Sequence, residues 1–258
     1  MTRISLFAST ALGLIFFATL SRAFAQLDAA ELITAHLTAC KAEGFDGVNS
    51  VIWTGTATMP KSGDALSYEL FQVNGEKWQA TYQNKTQYTR ETFDGEAAWT
   101  VSGQGDVAQV SNITAESMAP MVHLARWGSP VADAERYQYQ LEYLGKERQR
   151  TQFFEKIKVT TKSSGGFIVY LDSETHLISM IQDQRVIKGI LQPVKIVYED
   201  YREMWGTMIA HKVTYVIAGE PALVFTFSSI TFNPEVEDGR WVRPQSAVQQ
   251  DAPGAKDR

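Results

Sequence analysis

The stretch LSYELFQV-NG-EKWQATYQ-NK-TQYTRETF-DG-EAAWTV, residues 66–101, decides the fold. Asn74-Gly75 and Asp94-Gly95 supply the positive φ angles that tight hairpin turns require, which indicates a meander of antiparallel strands. Between the turns, apolar and polar side chains alternate: Trp78, Ala80 and Tyr82 on one face, and Lys77, Gln79 and Thr81 on the other. The stretch therefore predicts an antiparallel sheet with one buried aromatic face and one wet face.

A helix is predicted ahead of this sheet, from Asp28 to Glu43. Asp28 is a capping residue with Glu31 as its reciprocal partner, and Gly44 is placed to end the helix. Its apolar stripe consists of Leu32, Ile33, His36, Leu37 and Cys40. A helix with one such stripe is expected to pack on the apolar face of the sheet.

The first strand, Val51 to Met59, has an inner face that tapers from Trp53 through Gly55 to Ala57. A tapering face leaves room for a ligand. A glycine inside a strand also marks a bulge or a close approach of another backbone, and both interpretations stay open.

A second helix is predicted over residues 114–127, before Gly128-Ser129-Pro130. It carries Met118, Met121, Leu124 and Trp127. Methionine is common where a surface must accept varied apolar shapes, although the same stripe also suits ordinary core filling.

Strand patterns continue from Tyr137 to the end of the fold, separated by short breaks rich in glycine. They cover Tyr137–Tyr143, Phe153–Thr161, Phe167–Leu171, Leu177–Val186, Val194–Tyr201, Met208–Ile217 and Leu223–Phe232. The predicted fold class is mainly β: a single, strongly curved antiparallel sheet, or unclosed barrel, of about 11–12 strands. Two helices are expected to cover its concave face.

The N-terminus has the pattern of a cleavable export signal. Arg3 precedes an apolar segment from Ile4 to Leu20, and Ala23-Phe24-Ala25 is a small-x-small cleavage site. We expect three parts: a signal peptide at 1–25, one domain at 26–243 and a disordered tail at 244–258. The expected location is the periplasm, with an uncleaved membrane anchor as the alternative.

Charge and cysteine content narrow the functional class further. The formal net charge of −5 disfavours a nucleic-acid partner. We also expect the protein to be a monomer. Cys40 is the only cysteine, so no internal disulfide is possible. Leu37-Thr38-Ala39-Cys40 superficially resembles a lipoprotein acylation box, but a thiol on a helix face fits the surrounding charges better.

No motif for catalysis, metal binding or a cofactor is present in the sequence. The four histidines, His36, His123, His176 and His211, are widely spaced and make no metal-ligand pair. Nucleophile elbows, phosphate loops and dinucleotide fingerprints are missing from the sequence. We therefore predict no catalytic residues, no metal and no cofactor.

Several turn segments resemble those of the periplasmic lipoprotein carrier (LolA) superfamily. The segment Phe93-Asp94-Gly95-Glu96-Ala97-Ala98-Trp99 resembles its D-G-x-x-x-W turn. Tyr170 to Leu177 resembles the Y-x-D-x-x-T-x-L hairpin of the outer membrane lipoprotein-sorting branch. A second resemblance to this branch runs from Tyr198–Arg202 through Phe232–Asp238 to Trp241. The motifs keep their order from the first helix to Pro244.

The resemblance implies an unclosed barrel that shields acyl chains, and hence a periplasmic lipid- or lipoprotein-binding carrier. The expected partners are a lipid or lipoprotein acyl chain and inner- or outer-membrane transport proteins. The predicted ligand-binding residues are Val51, Trp53, Leu70, Trp78, Tyr82, Trp99, Met118, Met121, Leu124 and Trp127. The alternative is a non-catalytic interaction or envelope-sensing module of the same fold, with a cavity filled by its own side chains.

The sequence departs from the carrier pattern at one position. The carrier has a basic residue followed by proline on an early strand, whereas this chain has Gln72-Val73-Asn74. Arg90 on a neighbouring strand is the candidate substitute. The departure argues against lipoprotein transfer more than against lipid binding.

Overall fold

The structure, a computed structural model, describes residues 29–73, 77–104, 107–113, 129, 131, 134, 138–161, 165–187 and 189–244. The predicted signal peptide, the predicted helix over 114–127 and the tail after Pro244 lie outside these residues. The described part contains one α-helix, α1, over residues 29–40. Two short 3₁₀ helices cover Ala42–Phe45 and Asp238–Trp241.

Thirteen β-strands make up most of the described chain. They are β1 Ser50–Met59, β2 Asp64–Val73, β3 Lys77–Gln83, β4 Gln87–Phe93, β5 Ala98–Gln104, β6 Val107–Asn112, β7 Gln140–Gln149, β8 Gln152–Thr161, β9 Gly165–Asp172, β10 Ile178–Ile187, β11 Ile190–Met204, β12 Thr207–Ile217 and β13 Glu220–Phe232. The mainly-β prediction is confirmed. The predicted count of about 11–12 strands is slightly below the thirteen that the structure shows.

All thirteen strands belong to one sheet in the order β6-β5-β4-β3-β2-β1-β13-β12-β11-β10-β9-β8-β7. Strands that are consecutive in sequence are therefore adjacent in the sheet, apart from β6 and β7, and β13 lies beside β1. The strands β6 and β7 end the order and are not paired with each other. The sheet is antiparallel and not closed into a barrel, as predicted.

Several element boundaries differ from the prediction, and two of them coincide with a non-glycine residue of positive φ. Helix α1 ends at Cys40, before the predicted end at Glu43, because Lys41 has φ 51°. The chain continues as the first 3₁₀ helix. Strand β7 begins at Gln140 because Gln138 has φ 55° and Tyr139 N–H donates to Ala134 O at 2.7 Å. Local left-handed conformations at non-glycine residues are rare, so neither boundary is visible in the sequence pattern.

The contacts divide the chain into two compact units. The helix unit is drawn from Met1–Asp46, Gly128–Ala210 and Tyr215–Gly219. The meander unit is drawn from Gly47–Trp127, His211–Thr214 and Glu220–Arg258 and contains β1–β6 and β13.

In the helix unit, hydrogen bonds hold α1 in place through the His36 side chain and through the Cys40 carbonyl at its C-terminal end. His36 has 0% exposure; its Nδ1–H donates to His176 O at 2.8 Å and its Nε2 accepts from Ser129 Oγ at 2.7 Å. Because a carbonyl only accepts, Nδ1 must carry the proton. Thr207 Oγ1 donates to Cys40 O at 2.8 Å. His36 thus has a structural role in holding α1 in place.

In the meander unit, the cross-strand register assigns every side chain to one of two faces. The first, which we call the aromatic face, carries five aromatic residues: Trp53, Tyr68, Tyr82, Phe225 and Phe227. Tyr68 is opposite Tyr82, and the others are opposite Gly55, Ala57 or Leu70 on the paired strands. The second, the outer face, carries Phe71, Gln79, Thr92 and Trp99.

The prediction that the outer face is wet is wrong at its centre. Gln79 is 5% exposed and Thr92 is 0% exposed. The cause is the second 3₁₀ helix: Arg240 O accepts from Gln79 Nε2 at 3.1 Å, and the Trp241 ring lies 5.9 Å from the Phe71 ring. The central strand β3 therefore buries both of its faces, which a simple alternation of polar and apolar residues does not reveal.

Gly55 marks a bulge rather than space for a ligand. The register between β1 and β13 shifts between Thr54 and Gly55. A Cβ placed on Gly55 would lie 2.0 Å from Thr226 O and 2.9 Å from Phe227 Cα. Of the two interpretations that the sequence left open, the close backbone approach is the one that the structure shows.

Candidate functional site

The aromatic face is the feature of the described chain best suited to contact an apolar ligand. Tyr68 is at its centre, with its ring centroid 4.5 Å from Phe225, 5.1 Å from Tyr82 and 6.2 Å from Phe227. Trp53 lies 5.3 Å from Phe227. These tilted arrangements are the favourable geometry for aromatic pairs, so the five rings form one continuous apolar surface.

Five of the ten predicted ligand-binding residues lie on this face. Paired positions on antiparallel strands project to the same side, and the register pairs Trp53 with Leu70, Tyr68 with Tyr82, and Gln72 with both Val51 and Trp78. The structure therefore places Val51, Trp53, Leu70, Trp78 and Tyr82 together on the aromatic face.

The other five predicted residues are not brought to this face by the described structure. Trp99 pairs with Thr92 and so lies on the outer face, where it is 2% exposed. Side chains alternate along its strand, and nothing in the local pattern indicates which set lies on the same face as Trp78. Met118, Met121, Leu124 and Trp127 lie outside the described residues.

Arg90 also lies away from the aromatic face. It pairs with Thr81 and Val101 on the outer face, is exposed, and has its guanidinium 6.0 Å from the Tyr88 ring. Its register therefore separates it from the residues that would contact a ligand on the aromatic face.

Within the aromatic face, only part of the apolar surface is available for contact. Val51, Tyr68 and Trp78 are buried, at 0%, 7% and 1% exposure. Trp53, Leu70 and Tyr82 are half-buried. These three residues are the part of the predicted site that retains accessible surface.

Two tryptophans on this face differ in how their indole N–H groups are satisfied. Trp53 Nε1 donates to Gln72 Oε1 at 2.6 Å. Trp78 Nε1 is completely buried and has no hydrogen-bond partner among the described residues. A buried donor without a partner costs roughly 1–3 kcal/mol, so this atom requires an explanation.

Glu91 is a polar residue of the aromatic face that the sequence analysis missed. It pairs with Ala80 and Thr100, and it is half-buried. Burial raises the pKa of its carboxyl group. The alternation of β4 was ambiguous by one register step, which is why Glu91 was not assigned to this side.

The helix unit contains a buried carboxylate whose hydrogen bonds account for it structurally. Glu155 is 7% exposed and accepts from Tyr143 Oη at 2.7 Å, Ser173 Oγ at 3.0 Å and Lys146 Nζ at 2.9 Å. Burial acts to raise its pKa, but these hydrogen bonds outweigh burial and lower it. A carboxylate held ionised by three donors suits a structural role more than proton transfer.

Among the described residues, no three His, Cys, Asp or Glu side chains are placed to hold a metal ion. In the same part of the chain, no helix combines the length and apolar character needed to cross a bilayer.

The strand order and the one-sided aromatic cluster define the class of fold as an open, all-antiparallel sheet protein. Solved structures with this fold include an outer membrane lipoprotein-sorting protein domain from Vibrio parahaemolyticus, with a TM-score of 0.57 and 11% identity over 84% of this chain and 97% of that one. The predicted fold resemblance is therefore confirmed.

Two further structures share the fold. A LolA superfamily protein from Nitrosomonas europaea has a TM-score of 0.54 and 12% identity, covering 81% of this chain and 97% of that one. A DUF1329 family protein from Desulfovibrio piger has a TM-score of 0.55 and 10% identity, covering 82% and 97%. At such low identity these likenesses show the fold alone.

No family profile matches the sequence, and no curated protein is detectably similar to it.

Proposed function

We propose that this protein binds an apolar, lipid-like ligand non-covalently on its aromatic face and carries it in the periplasm. The observation that carries the proposal is the continuous surface of five aromatic rings, of which Trp53 and Tyr82 stay half-buried. The fold shared with lipoprotein-sorting and LolA superfamily proteins supports it.

Binding of an acyl chain needs no catalytic group. Each CH₂ of an acyl chain that leaves water gains roughly 0.8 kcal/mol. A chain laid over Trp53, Leu70 and Tyr82 would also remove the remaining exposed surface of these residues from water. Reversible binding therefore follows from burial alone.

The predicted helix over residues 114–127 completes the proposal. Its Met118, Met121, Leu124 and Trp127 form an adaptable apolar stripe that we propose as the cover of the bound ligand. The predicted signal peptide, cleaved after Ala25, would deliver the chain to the compartment in which the ligand is carried.

A matched pair of variants tests the site. Tyr82→Glu places a charge among the rings, and we expect it to weaken binding of a fluorescent fatty-acid probe at least tenfold. Thr81→Glu is the control, because Thr81 is the next residue of β3 and projects to the outer face. Equal affinity in the two variants would overturn the assignment of the site.

Native and denaturing mass spectra of protein exported and purified without detergent test the function itself. We expect a mass excess that is lost on denaturation and appears as lipid or lipoprotein in the solvent extract. The denatured mass also shows whether cleavage follows Ala25 and whether Cys40 is acylated.

One observation favours the alternative function, a protein-interaction or envelope-sensing module. Tyr68, Phe225 and Phe227 are each less than 9% exposed and contact one another, so the rings already fill much of their own space. A purified protein that carries no mass excess and does not bind added fatty-acid probes would favour this alternative. Its partner would then be a protein in place of a lipid.

A further inference from the structure

The unpartnered indole of Trp78 bears on the chemical class of the ligand. Trp78 is 1% exposed, and its Nε1–H has no acceptor among the described residues. More than nine-tenths of buried polar groups in proteins have a partner. A ligand atom that accepts a hydrogen bond here would remove an existing cost as well as adding a contact.

The indole is next to the accessible part of the aromatic face. Trp78 pairs with Gln72 on β2 and with Phe93 on β4. Its diagonal neighbours on these strands are Leu70 and Glu91, both half-buried. Diagonal neighbours are roughly 7–8 Å apart, within reach of a ligand that lies on Leu70.

Charge on the aromatic face restricts what the acceptor can be. In the described residues of strands β1–β5 and β13, the register places two carboxyl side chains on this face, Asp64 and Glu91. It places no Lys or Arg there. Lys77, Arg90 and the partly buried Glu69 project to the outer face. A phosphate or free carboxylate would meet these acidic groups and no cation on the described strands of this face, whereas a neutral carbonyl oxygen is not repelled by them.

Gln72 does not remove the need for an acceptor. Its Oε1 already accepts from Trp53 Nε1 at 2.6 Å, on the side away from Trp78. The two indoles of this face therefore differ chemically, since Trp53 donates to Gln72 and Trp78 has no acceptor among the described residues.

We propose that Trp78 is a specificity-determining residue whose Nε1–H donates to the carbonyl oxygen of an acyl ester or amide in the ligand, an inference that rests on the proposed function. The preferred ligand class is then an acylated lipid or lipopeptide, which should bind more tightly than a plain hydrocarbon, an ether lipid or a free fatty acid of the same chain length. The aromatic rings bind the chain, and Trp78 recognises its linkage.

Two lipids that differ only in the carbonyl group test this directly. We would titrate the full protein by calorimetry with palmitoyl-lysophosphatidylcholine and with its hexadecyl ether analogue, below their micellar concentrations. One hydrogen bond is worth about 1 kcal/mol, so wild type should bind the acyl lipid about fivefold more tightly. Trp78→Phe keeps a ring but removes the donor and should abolish this preference.

Trp53→Phe is the matched control because its indole already has a partner. Trp53→Phe should weaken the binding of both lipids and keep the ratio of acyl to ether affinity found in wild type. Should Trp78→Phe fail to fold, as judged by circular dichroism, the assigned indole N–H resonance of Trp78 in wild type replaces it. That resonance should shift with the acyl lipid and not with the ether.

The outcomes separate the two proposals. Equal affinity of wild type for both lipids, or a preference that survives in Trp78→Phe, overturns the carbonyl donor and leaves the apolar site standing. Failure of both lipids to bind overturns the proposed function and this inference together.

Discussion

Gln79 and Arg240 are joined by reciprocal hydrogen bonds across 161 residues of sequence. Gln79 Nε2 donates to the backbone oxygen of Arg240, and Arg240 Nη1 donates to Gln79 Oε1, both at 3.1 Å. The same guanidinium also donates to Glu69 Oε1 at 3.2 Å and lies 4.3 Å from the centre of the Phe71 ring. This connection holds the second 3₁₀ helix on the outer face of the meander unit.

The first prediction concerns this connection. Arg240→Ala leaves the buried Gln79 carbonyl without its donor and removes the cation–π contact, so we expect a loss of about 2–3 kcal/mol in the free energy of unfolding. Chemical denaturation measures it. Arg243→Ala, at an exposed position three residues later, should stay within about 0.5 kcal/mol of wild type. Similar losses in both variants would show that the connection contributes little.

The bulge at Gly55 gives a second prediction. Gly55→Ala places a methyl group 2.0 Å from Thr226 O, and since backbone cannot step aside as a side chain does, β1 and β13 must separate locally. We expect a loss of about 2–3 kcal/mol. Gly239→Ala is the control because nothing lies within 4 Å of its Cβ position. Thermal melts that coincide for the two variants would contradict the close approach.

A third prediction follows from His36. Burial lowers the pKa of its imidazole below the usual 6.5, although the hydrogen bond to His176 O opposes this. The unfolded chain therefore binds the proton more readily than the folded chain, and stability is lost as the pH falls below about 6.5. Between pH 7.5 and 5.5 this amounts to at most about 1.4 kcal/mol.

The variant His36→Gln separates this effect from other titrations. We expect it to be less stable than wild type at pH 7.5, since Ser129 and the His176 carbonyl lose their partner. Its stability should nevertheless fall less between pH 7.5 and 5.5. Parallel curves of unfolding free energy against pH for the two proteins would mean that His36 is not the group responsible.

Cys40 provides a fourth prediction. Burial raises the pKa of its thiol to about 12, from 9.0. Since the thiolate is the reactive form, alkylation by iodoacetamide at pH 8 should be about a thousandfold slower in the folded protein than in denaturant. Mass spectrometry measures the rate of Cys40 alkylation in the folded and in the denatured protein. Comparable rates in the two states would show an accessible thiol.

The sequence predicted the meander well because its determinants are local. Alternation of side chains and the turn at Asp94-Gly95 act over a few residues, and nearly every predicted strand from β1 to β13 is present. Boundaries were less predictable where a non-glycine residue takes positive φ, as Lys41 and Gln138 do. Such residues are held by contacts that the local pattern does not contain.

The candidate site was half predictable for a similar reason. Trp53, Leu70, Trp78 and Tyr82 share a face because hairpin pairing carries the alternation of one strand to the next. Trp99 and Glu91 were misassigned or missed because a shift of one residue in register exchanges the two faces of a strand. No feature of the local sequence specifies which side chains of β4 and β5, around the turn at Asp94-Gly95, lie on the face of Trp78.

By itself the sequence determined an antiparallel sheet, its turns and an aromatic surface, because these depend on backbone preferences and on alternation along each strand. Only the tertiary structure decided that β13 returns beside β1 and brings Phe225 and Phe227 to Tyr68. It also decided that Arg240 covers Gln79, and that the Trp78 indole has no acceptor among the described residues. These contacts join residues far apart in the chain, and their energies depend on burial that no short stretch of sequence specifies.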